Sequence, residues 1–164
     1  MKVAVNKPLP VYPAPAFLVG VYDEEGKPGG MIAAWGGVCC SEPPCISVAV
    51  QKARYSFGGI VARKAFTVNV PSEAQAAEAD YFGIFSGRDG DKFAACGLTR
   101  VVSAHVRAPS IAECPVNIEC RAYTKVAPPH TLLTPEHRQA PLALQHTIYF
   151  GEVLGTYRYT PRTT

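Results

Sequence analysis

The stretch Gln51-Lys52-Ala53-Arg54-Tyr55-Ser56 carries residue types that bind anions. It follows an apolar run at residues 45–50 and precedes a run that favours a short helix from Ser56 to Val61. The first N–H groups of a helix have no acceptor within the helix and therefore attract negative charge. Arg54 adds a fork of donors that matches phosphate oxygens, and Ser56 can both cap the helix and donate. The pattern predicts a phosphate site, with a solvated basic turn as the alternative.

A strand with very small side chains precedes this turn, with Ala33, Ala34, Gly36 and Gly37 around Trp35. Glycine in a strand packs nothing, but it lets another group approach the backbone closely. A flat aromatic ligand fits that geometry, because backbone groups can bind its polar edge while Trp35 supplies an apolar wall and an N–H donor. From these residues alone, tight packing of two sheets or of a helix against the strand is the favoured interpretation. Together with the phosphate-type turn, however, the strand matches what flavin mononucleotide (FMN) requires.

Length and charge restrict the classes of protein that the chain can be. The 164 residues suffice for one domain with a sizeable core, so residues 1–164 are assigned to a single domain. Sixteen Lys and Arg against 13 Asp and Glu give a net charge of +3, which is too small to indicate a nucleic-acid partner. No apolar run approaches the ~20 residues of a membrane span, and the start MKVAVNKPLPVYP lacks the features of a signal peptide. We therefore expect no membrane partner and a cytoplasmic location.

The chain has six cysteines, at positions 39, 40, 45, 96, 114 and 120. A cytoplasmic protein with a core of this size needs no disulfide framework. The spacing contains no C-x-x-C pair and no cluster of Cys and His, so no metal site is expected. Most of the cysteines lie in apolar runs and are interpreted as small core residues. Cys39 and Cys40 are likewise assigned to packing, because adjacent cysteines form a disulfide only with strain.

Short apolar runs bounded by turn residues predict a mainly β protein. Strands are predicted at residues 16–22, 31–39, 45–50, 65–70, 116–123 and 147–154, with 31–39 pairing antiparallel to 16–22. In residues 116–123 the apolar side chains alternate with polar ones, which indicates a strand with Asn117, Glu119, Arg121 and Tyr123 facing solvent. Residues 127–143, rich in Pro and His, are predicted to form an exposed loop.

The clearest helix signal is Ser72-Glu73-Ala74-Gln75, a capping box that opens an Ala-rich run extending to Phe85. Gly87 is predicted to end this helix in the left-handed conformation. Asp91 is predicted to cap one more helical turn, closed by Gly97. Few, clustered helices among many strands predict an antiparallel barrel rather than a doubly wound sheet. The sequence also lacks the Gly-rich phosphate loops of dinucleotide and nucleoside-triphosphate sites and the Ser elbow of hydrolases.

Several short motifs occur in one order over roughly residues 8–154, and the ordered set is far more specific than any one of them. The main ones are Pro28-x-x-Met31-x-Ala33-Ala34-Trp35-Gly36-Gly37, Ser41-x-Pro43-Pro44, Lys52-x-Arg54-Tyr55-Ser56, Ala65-Phe66-Thr67-Val68-Asn69-Val70-Pro71-Ser72, Ser86-Gly87-Arg88-Asp89-x-Asp91-Lys92-Phe93 and Gly151-Glu152-Val153. In this order they resemble the flavin reductase-like, FMN-binding split-barrel family, in its flavoredoxin-like branch. The resemblance implies an antiparallel, Greek-key split β-barrel with a few short helices, assembled as a homodimer that binds FMN near the subunit boundary.

The resemblance also implies which residues contact FMN. Residues expected along the isoalloxazine ring or at its polar edge are Met31, Ala33, Ala34, Trp35, Cys40 and Ser41. Residues expected around the ribityl phosphate are Gln51, Lys52, Ala53, Arg54, Tyr55, Ser56 and Lys92. His146 matches a family histidine that faces the flavin and the reduced nicotinamide, where it could orient the donor or stabilise reduced flavin. A hydrogen-bonded structural role is the alternative for His146.

Three functions are compatible with this set of residues. The first is a flavin reductase that uses NADH or NADPH, and the second is a flavoredoxin-like carrier with tightly bound FMN that takes electrons from a protein. The third is a flavin-binding module without turnover. Two departures from the family pattern bear on the choice: residues 127–143 are longer than in similar proteins and form either a lid or a surface excursion, and the chain stops soon after Val153. The second departure is expected to alter the substrate pocket or the dimer edge.

Overall fold

A seven-stranded antiparallel sheet dominates the residues that the computed structural model describes, 14–130 and 135–159. Its strands are β1 (Phe17–Tyr22), β2 (Pro28–Ala33), β3 (Gly36–Ser41), β4 (Pro44–Gln51), β5 (Ala65–Val70), β8 (Val116–Val126) and β9 (His146–Tyr157), in the spatial order β2-β1-β5-β8-β9-β4-β3. A separate hairpin joins β6 (Arg100–Val102) to β7 (Pro109–Ile111). The predicted fold class, mainly β with an antiparallel barrel, is confirmed.

The helices are short. They are α1 (Tyr55–Arg63), α2 (Ala76–Ile84), α3 (Lys92–Ala95) and α4 (Pro135–Arg138), with single 3₁₀ turns at Glu73–Gln75 and Leu142–Leu144. Within residues 14–130 and 135–159, no helix is both long enough and apolar enough to cross a membrane. The segment predicted as an exposed loop, residues 127–143, contains α4 and the start of the 3₁₀ turn at Leu142–Leu144. Its residues 131–134 lie outside the described part of the chain.

The prediction of one strand over residues 31–39 is wrong. The chain leaves β2 at one edge of the sheet and enters β3 at the other edge, so only the first part of this stretch pairs with β1. Ala34 and Trp35 make the crossing, and the Ala49 N–H donates to the Trp35 carbonyl at 2.8 Å. A side chain on Gly36 would collide with the carbonyl oxygen of Ser47. The small residues thus let the chain change partner strands within two residues and bring the sheet edges together.

The local signals around α2 and α3 act as predicted except at Gly87. The Ser72 N–H donates to Gln75 Oε1 at 2.9 Å, and Asp91 Oδ1 accepts from the backbone N–H groups of Phe93 and Ala94 at 3.0 and 3.2 Å. Gly97 has a φ of +65° after α3. Gly87, however, is not left-handed, and α2 ends at an extended Phe85.

Close packing explains the glycine at position 87 instead. A Cβ atom there would lie 2.5 Å from Cδ1 of Tyr55, at the start of α1. Gly87 therefore lets the segment after α2 approach the Tyr55 ring, and this contact brings two distant parts of the sequence to one side of the sheet. Sequence alone shows the glycine but not the ring that lies against it.

Four polar side chains are fully buried between the sheet and the β6–β7 hairpin, and we call them the inner polar cluster: Thr67, Asn69, Asn117 and Glu119. The prediction that Asn117 and Glu119 face solvent is therefore wrong. Backbone groups of the segment at residues 103–114 meet this face of β8. Because these backbone groups need partners when buried, polar side chains at alternate positions stabilise the contact.

Each member of the inner polar cluster has backbone partners. Glu119 accepts from the N–H groups of Ala104 and His105 at 2.8 and 2.7 Å. The remaining bonds are Thr67 Oγ1 to Pro109 O (2.6 Å), Asn69 Nδ2 to Leu18 O (2.8 Å), Ile111 N to Asn69 Oδ1 (3.0 Å) and to Asn117 Oδ1 (3.1 Å), and Asn117 Nδ2 to Cys114 O (3.0 Å). The cluster therefore fastens the hairpin to the sheet without an external ligand.

All six cysteines are free thiols. Cys45, Cys114 and Cys120 are buried, as predicted for core residues, and burial raises the pKa of both Cys114 and Cys120 to about 12. The prediction is wrong for Cys39 and Cys40, which are exposed on β3. An edge strand has one side without a partner strand, so an apolar run there does not imply burial.

Candidate functional site

A cavity of about 330 Å³ opens at the start of α1. It lies where β2, the β4–α1 turn, the end of α2, and α3 meet. Its lining residues are Gly30, Met31, Gln51, Ala53, Arg54, Tyr55, Ser56, Phe82, Ile84, Phe85, Ser86, Gly87, Arg88, Lys92 and Leu144. Seven of the predicted FMN residues are brought together here: Met31, Gln51, Ala53, Arg54, Tyr55, Ser56 and Lys92.

Backbone hydrogen bonds fix the turn that leads into α1. The Arg54 N–H donates to the Gln51 carbonyl at 3.0 Å, and the Ala53 N–H donates to the Ala143 carbonyl at 2.9 Å. Arg54 is the extended residue before the helix, and Ser56 is the second helical residue. The prediction that Ser56 caps the helix is therefore wrong.

Ser56 has no partner of its own inside the cavity wall. Its residue is 1% exposed, and no hydrogen-bond partner for its Oγ lies within the described part of the chain. A buried hydroxyl without a partner costs free energy, so such groups are rare in folded proteins. Beside it are the first N–H groups of α1, which have no acceptor within the helix. The Ser56 hydroxyl and these N–H groups are therefore donors that a ligand could satisfy.

Three cations, Arg54, Arg88 and Lys92, surround these donors, and no Asp or Glu is among the described residues that line the cavity. Lys92 is buried, and its Nζ donates to the carbonyls of Phe82 and Phe85, both at 3.0 Å. An ammonium has three donors, so one N–H is left for a ligand. Burial, with a smaller contribution from the Arg54 charge, lowers the pKa of Lys92 to about 8. The charge distribution suits an anion.

Arg88 was missed by sequence reasoning, although it lies within the quoted Ser86-Gly87-Arg88-Asp89 motif. Its Nη1 donates to the Ala53 carbonyl at 3.2 Å, and its guanidinium lies 5.8 Å from the centroid of the Tyr55 ring. The Tyr55 hydroxyl donates to the Asp23 carboxylate. Burial and this bond raise the pKa of Tyr55 to about 12, so the ring stays a neutral phenol. The Tyr55 ring thus packs against the Arg88 guanidinium and helps to position it.

His146 begins β9 and pairs with Gln51 across the β4–β9 ladder. It is half-buried and is not among the residues that line the cavity. Burial lowers the pKa of His146, and the positive charge of Arg54 lowers it further. The neutral imidazole is therefore favoured next to the Arg54 guanidinium.

Six predicted FMN residues lie outside the cavity. Ala33 is buried in the core, Ala34 and Trp35 lie in the edge-to-edge crossing, and Cys40 and Ser41 are exposed on β3. Lys52 is exposed in the turn before α1. The structure thus separates the predicted ring-binding residues from the predicted phosphate-binding residues, with Met31 between the two groups.

Comparisons with known proteins agree with this architecture. The family model described as flavin reductase like domain matches residues 9–161. An uncharacterized protein of Archaeoglobus fulgidus is 33% identical over 144 residues, which are 88% of this chain and 72% of that protein.

Solved structures give the same result. Flavoredoxin of Desulfovibrio vulgaris (Miyazaki F) superposes with a TM-score of 0.82 at 39% identity, covering 96% of this chain and 76% of that one. Flavoredoxin from Methanosarcina acetivorans superposes with a TM-score of 0.78 at 25% identity, covering 100% and 78% of the two chains. The resemblance found in the ordered motifs is confirmed, and the chain belongs to the flavin reductase like domain family, with the split-barrel fold.

Proposed function

We propose that this protein binds FMN with the phosphate in the cavity at the start of α1 and acts as a flavin reductase that uses NADH or NADPH. The observation that carries the proposal is the buried Ser56 hydroxyl, which lacks a partner among the described residues and lies beside Arg54, Arg88 and Lys92. A phosphate monoester offers the acceptors and the negative charge that this set of donors requires.

Each residue has a separate role in the proposed site. Arg54, exposed before the helix, supplies two parallel donors, and Ser56 supplies its hydroxyl from within the wall. Lys92 adds a charge whose position is fixed by its two carbonyl partners. Arg88 is held against Tyr55 and the Ala53 carbonyl, and it adds a second guanidinium to the cavity wall. Lys92 and Arg88 are held in place before the ligand arrives, which lowers the entropy cost of binding.

The chain itself needs no acid–base pair for the proposed reaction. Bound FMN supplies the hydride and electron chemistry, and the protein supplies binding, orientation and electrostatics. His146 is proposed to orient the nicotinamide donor, since a neutral imidazole beside Arg54 can donate or accept a hydrogen bond without adding charge.

A homodimer is part of the proposal. Trp35 is 55% exposed and Val38 is 82% exposed, both at the crossing and edge strand that the resemblance sets near the isoalloxazine ring. Exposed large apolar side chains in one area are typical of an interface. We propose that a second subunit covers them and completes the ring-binding part of the site.

A second candidate function is electron transfer without a bound nicotinamide. The observation that favours it is the 39% identity to a protein named flavoredoxin over 96% of this chain. In that case the protein keeps FMN tightly bound and exchanges electrons with a protein partner.

Anaerobic titration of the purified, FMN-loaded protein with NADH and NADPH, followed by absorbance, separates these functions. Rapid bleaching of the yellow colour by either nucleotide supports the reductase. A yellow protein that neither nucleotide bleaches supports the electron carrier. A protein that takes up no added FMN contradicts both and leaves only a barrel without flavin chemistry.

The phosphate assignment has its own test, because two neighbouring basic residues differ in position. Arg54→Ala removes a lining residue, and we expect FMN affinity to fall about 10- to 100-fold, the cost of losing charge-assisted hydrogen bonds. Lys52→Ala removes a charge of the same sign outside the cavity. The FMN affinity of this variant should stay within about threefold of the native value, because exposed charges contribute little. Fluorescence titration of FMN measures both. Equal losses in the two variants contradict the assignment.

A further inference from the structure

Three cysteines meet on the β3–β4 hairpin, outside the cavity at α1. The pairing register shifts within β3: Val38 opposes Ile46, whereas Cys40 opposes Cys45, and Cys39 is the extra residue. A bulge of this kind sets two residues of one strand against one residue of its partner. Two cysteines of β3 therefore face a single cysteine of β4.

The contacts agree with this arrangement. Cys39 Sγ lies 3.6 Å from the Cys45 carbonyl oxygen, and Cys40 Sγ lies 3.4 Å from the carbonyl oxygen of Glu42 in the turn. Cys39 and Cys40 are exposed, while Cys45 is 8% exposed. Burial raises the pKa of Cys45, and the nearby Cys40 and Cys39 thiols raise it further, in that order. Within a single subunit, the hairpin thus combines two exposed thiols with one buried thiol.

A shared metal ion does not explain the cluster. Over residues 14–130 and 135–159, no group of three or more His, Cys, Asp or Glu side chains could hold a metal ion. The three thiols therefore do not converge on one centre, which leaves pairwise chemistry between sulfurs. Cys39 and Cys40 are adjacent in sequence and would bond only with strain, so Cys45 is the partner that both can reach.

We propose that Cys40 and Cys45 form a reversible disulfide, so that the β3–β4 hairpin is a site of oxidative modification. Directly opposed residues of antiparallel strands have Cα atoms about 4.5–5.5 Å apart, and disulfides span Cα distances of about 4.4–6.8 Å. Their side chains also lie on the same face of the sheet. The bond would tie the edge strand β3 to β4 across the turn at Glu42 and Pro43.

A peroxide is the oxidant in this proposal. The exposed Cys40 thiolate attacks one peroxide oxygen, the O–O bond breaks, and the products are a sulfenic acid and, after protonation, water. The Cys45 sulfur then displaces the sulfenic hydroxyl: the S–S bond forms, the S–O bond breaks, and the Cys45 proton leaves with the hydroxyl as a second water. Two thiols lose two electrons and hydrogen peroxide gains them. A dithiol reductant reverses the reaction by thiol–disulfide exchange.

Mass spectrometry of the full chain tests the proposal. The reduced protein is treated with a small excess of hydrogen peroxide, remaining thiols are blocked with iodoacetamide, and the tryptic peptide that ends at Lys52 is analysed. Its cysteines are the three of the hairpin. We expect this peptide to be two hydrogens lighter and to carry one blocked thiol, while Cys114 and Cys120 are not oxidised before denaturation. Dithiothreitol should restore three blockable thiols.

Single variants identify the bonded pair. Cys39→Ser keeps the disulfide, whereas Cys40→Ser and Cys45→Ser lose it. Because Cys40 is exposed, its serine variant is expected to fold like the native protein, so it carries the assignment even if Cys45→Ser does not fold. A disulfide that persists in Cys40→Ser, a disulfide between two chains, or oxidation of Cys40 to a sulfinic acid with Cys45 still blockable each overturns the proposal.

Discussion

Two regions of this barrel bury polar groups, and they differ in how those groups are satisfied. In the inner polar cluster, Glu119 and its neighbours have backbone partners at 2.6–3.1 Å, most of them in the β6–β7 hairpin and the others in β1 and after β7. In the cavity at α1, Ser56 lacks a partner among the described residues, and three cations converge without a carboxylate. A buried polar group that the chain satisfies stabilises the fold, whereas one that the chain leaves unsatisfied indicates a ligand.

The comparison predicts opposite consequences for substitutions in the two regions. Changes in the inner polar cluster should reduce stability and leave FMN affinity of the folded protein unaltered. Changes to cavity groups that the chain leaves without a partner, such as the Ser56 hydroxyl, should reduce FMN affinity and leave the free protein as stable as before, or more stable.

The largest effect is expected at Glu119. Glu119→Leu leaves the N–H groups of Ala104 and His105 without an acceptor, and we expect the free energy of unfolding to fall by about 3 kcal/mol. Glu119→Gln keeps one acceptor oxygen and should lose about half as much. Urea unfolding measures both variants. If Glu119→Leu were as stable as the native protein, or weakened FMN binding in its folded state, the division between the two regions would be wrong.

The pKa of Lys92 predicts an effect of pH on binding. Burial lowers it to about 8, so the protonated amine that attracts phosphate is lost as the pH rises through about 8, and FMN affinity should fall. Lys92→Met should bind FMN about tenfold more weakly at pH 7 and show no such fall up to about pH 9.5. Titrations at several pH values measure this. A native affinity that stays constant to pH 9.5 contradicts the role of Lys92.

The same pKa also has a predictable effect on stability. The unfolded chain keeps the Lys92 proton up to its ordinary pKa of 10.5, whereas the folded protein releases it near 8. Between these pH values the unfolded state binds more protons, so the contribution of Lys92 to stability increases with pH. Lys92→Met removes this slope, which distinguishes a lost titration from a general loss of fold.

The smallest effect distinguishes two hydroxyls. Ser56→Ala removes an unsatisfied group, so the free protein should keep its stability or gain up to about 1 kcal/mol, while FMN affinity falls about tenfold. Thr67→Val removes a hydroxyl that donates to Pro109 O at 2.6 Å, so stability should fall by about 1 kcal/mol with FMN affinity unchanged. Thermal unfolding measures the stability change of each variant, and FMN titration measures the affinity change. If both variants lost stability, or both lost FMN affinity, the distinction between the two hydroxyls would be wrong.

Local patterns predicted much of this fold. The strands at residues 16–22, 45–50 and 65–70 and the capping residues Ser72 and Asp91 depend on interactions within a few residues, and all are confirmed. The errors arise where a distant segment decides. Asn117 and Glu119 alternate like surface residues because the sequence does not show that a hairpin 3 to 15 residues away covers them.

The candidate site shows the same dependence on distant segments. Arg54 and Ser56 were identified because helix entry and anion binding share one local pattern. Arg88 was not assigned to the site, since its place depends on Gly87 packing against Tyr55, more than 30 residues earlier. The exposure of Cys39 and Cys40 depends on β3 being an edge strand, which follows from the order of the whole sheet.

The central claim, that the flavin phosphate lies at the start of α1, is tested most directly with riboflavin, which differs from FMN only in lacking the phosphate. We predict that the native protein binds FMN at least about 100-fold more tightly than riboflavin, from two or more charge-assisted hydrogen bonds. Arg54→Ala should remove most of this difference while riboflavin affinity stays the same. Equal affinities for FMN and riboflavin in the native protein, or an equal loss for both ligands in Arg54→Ala, would contradict the claim.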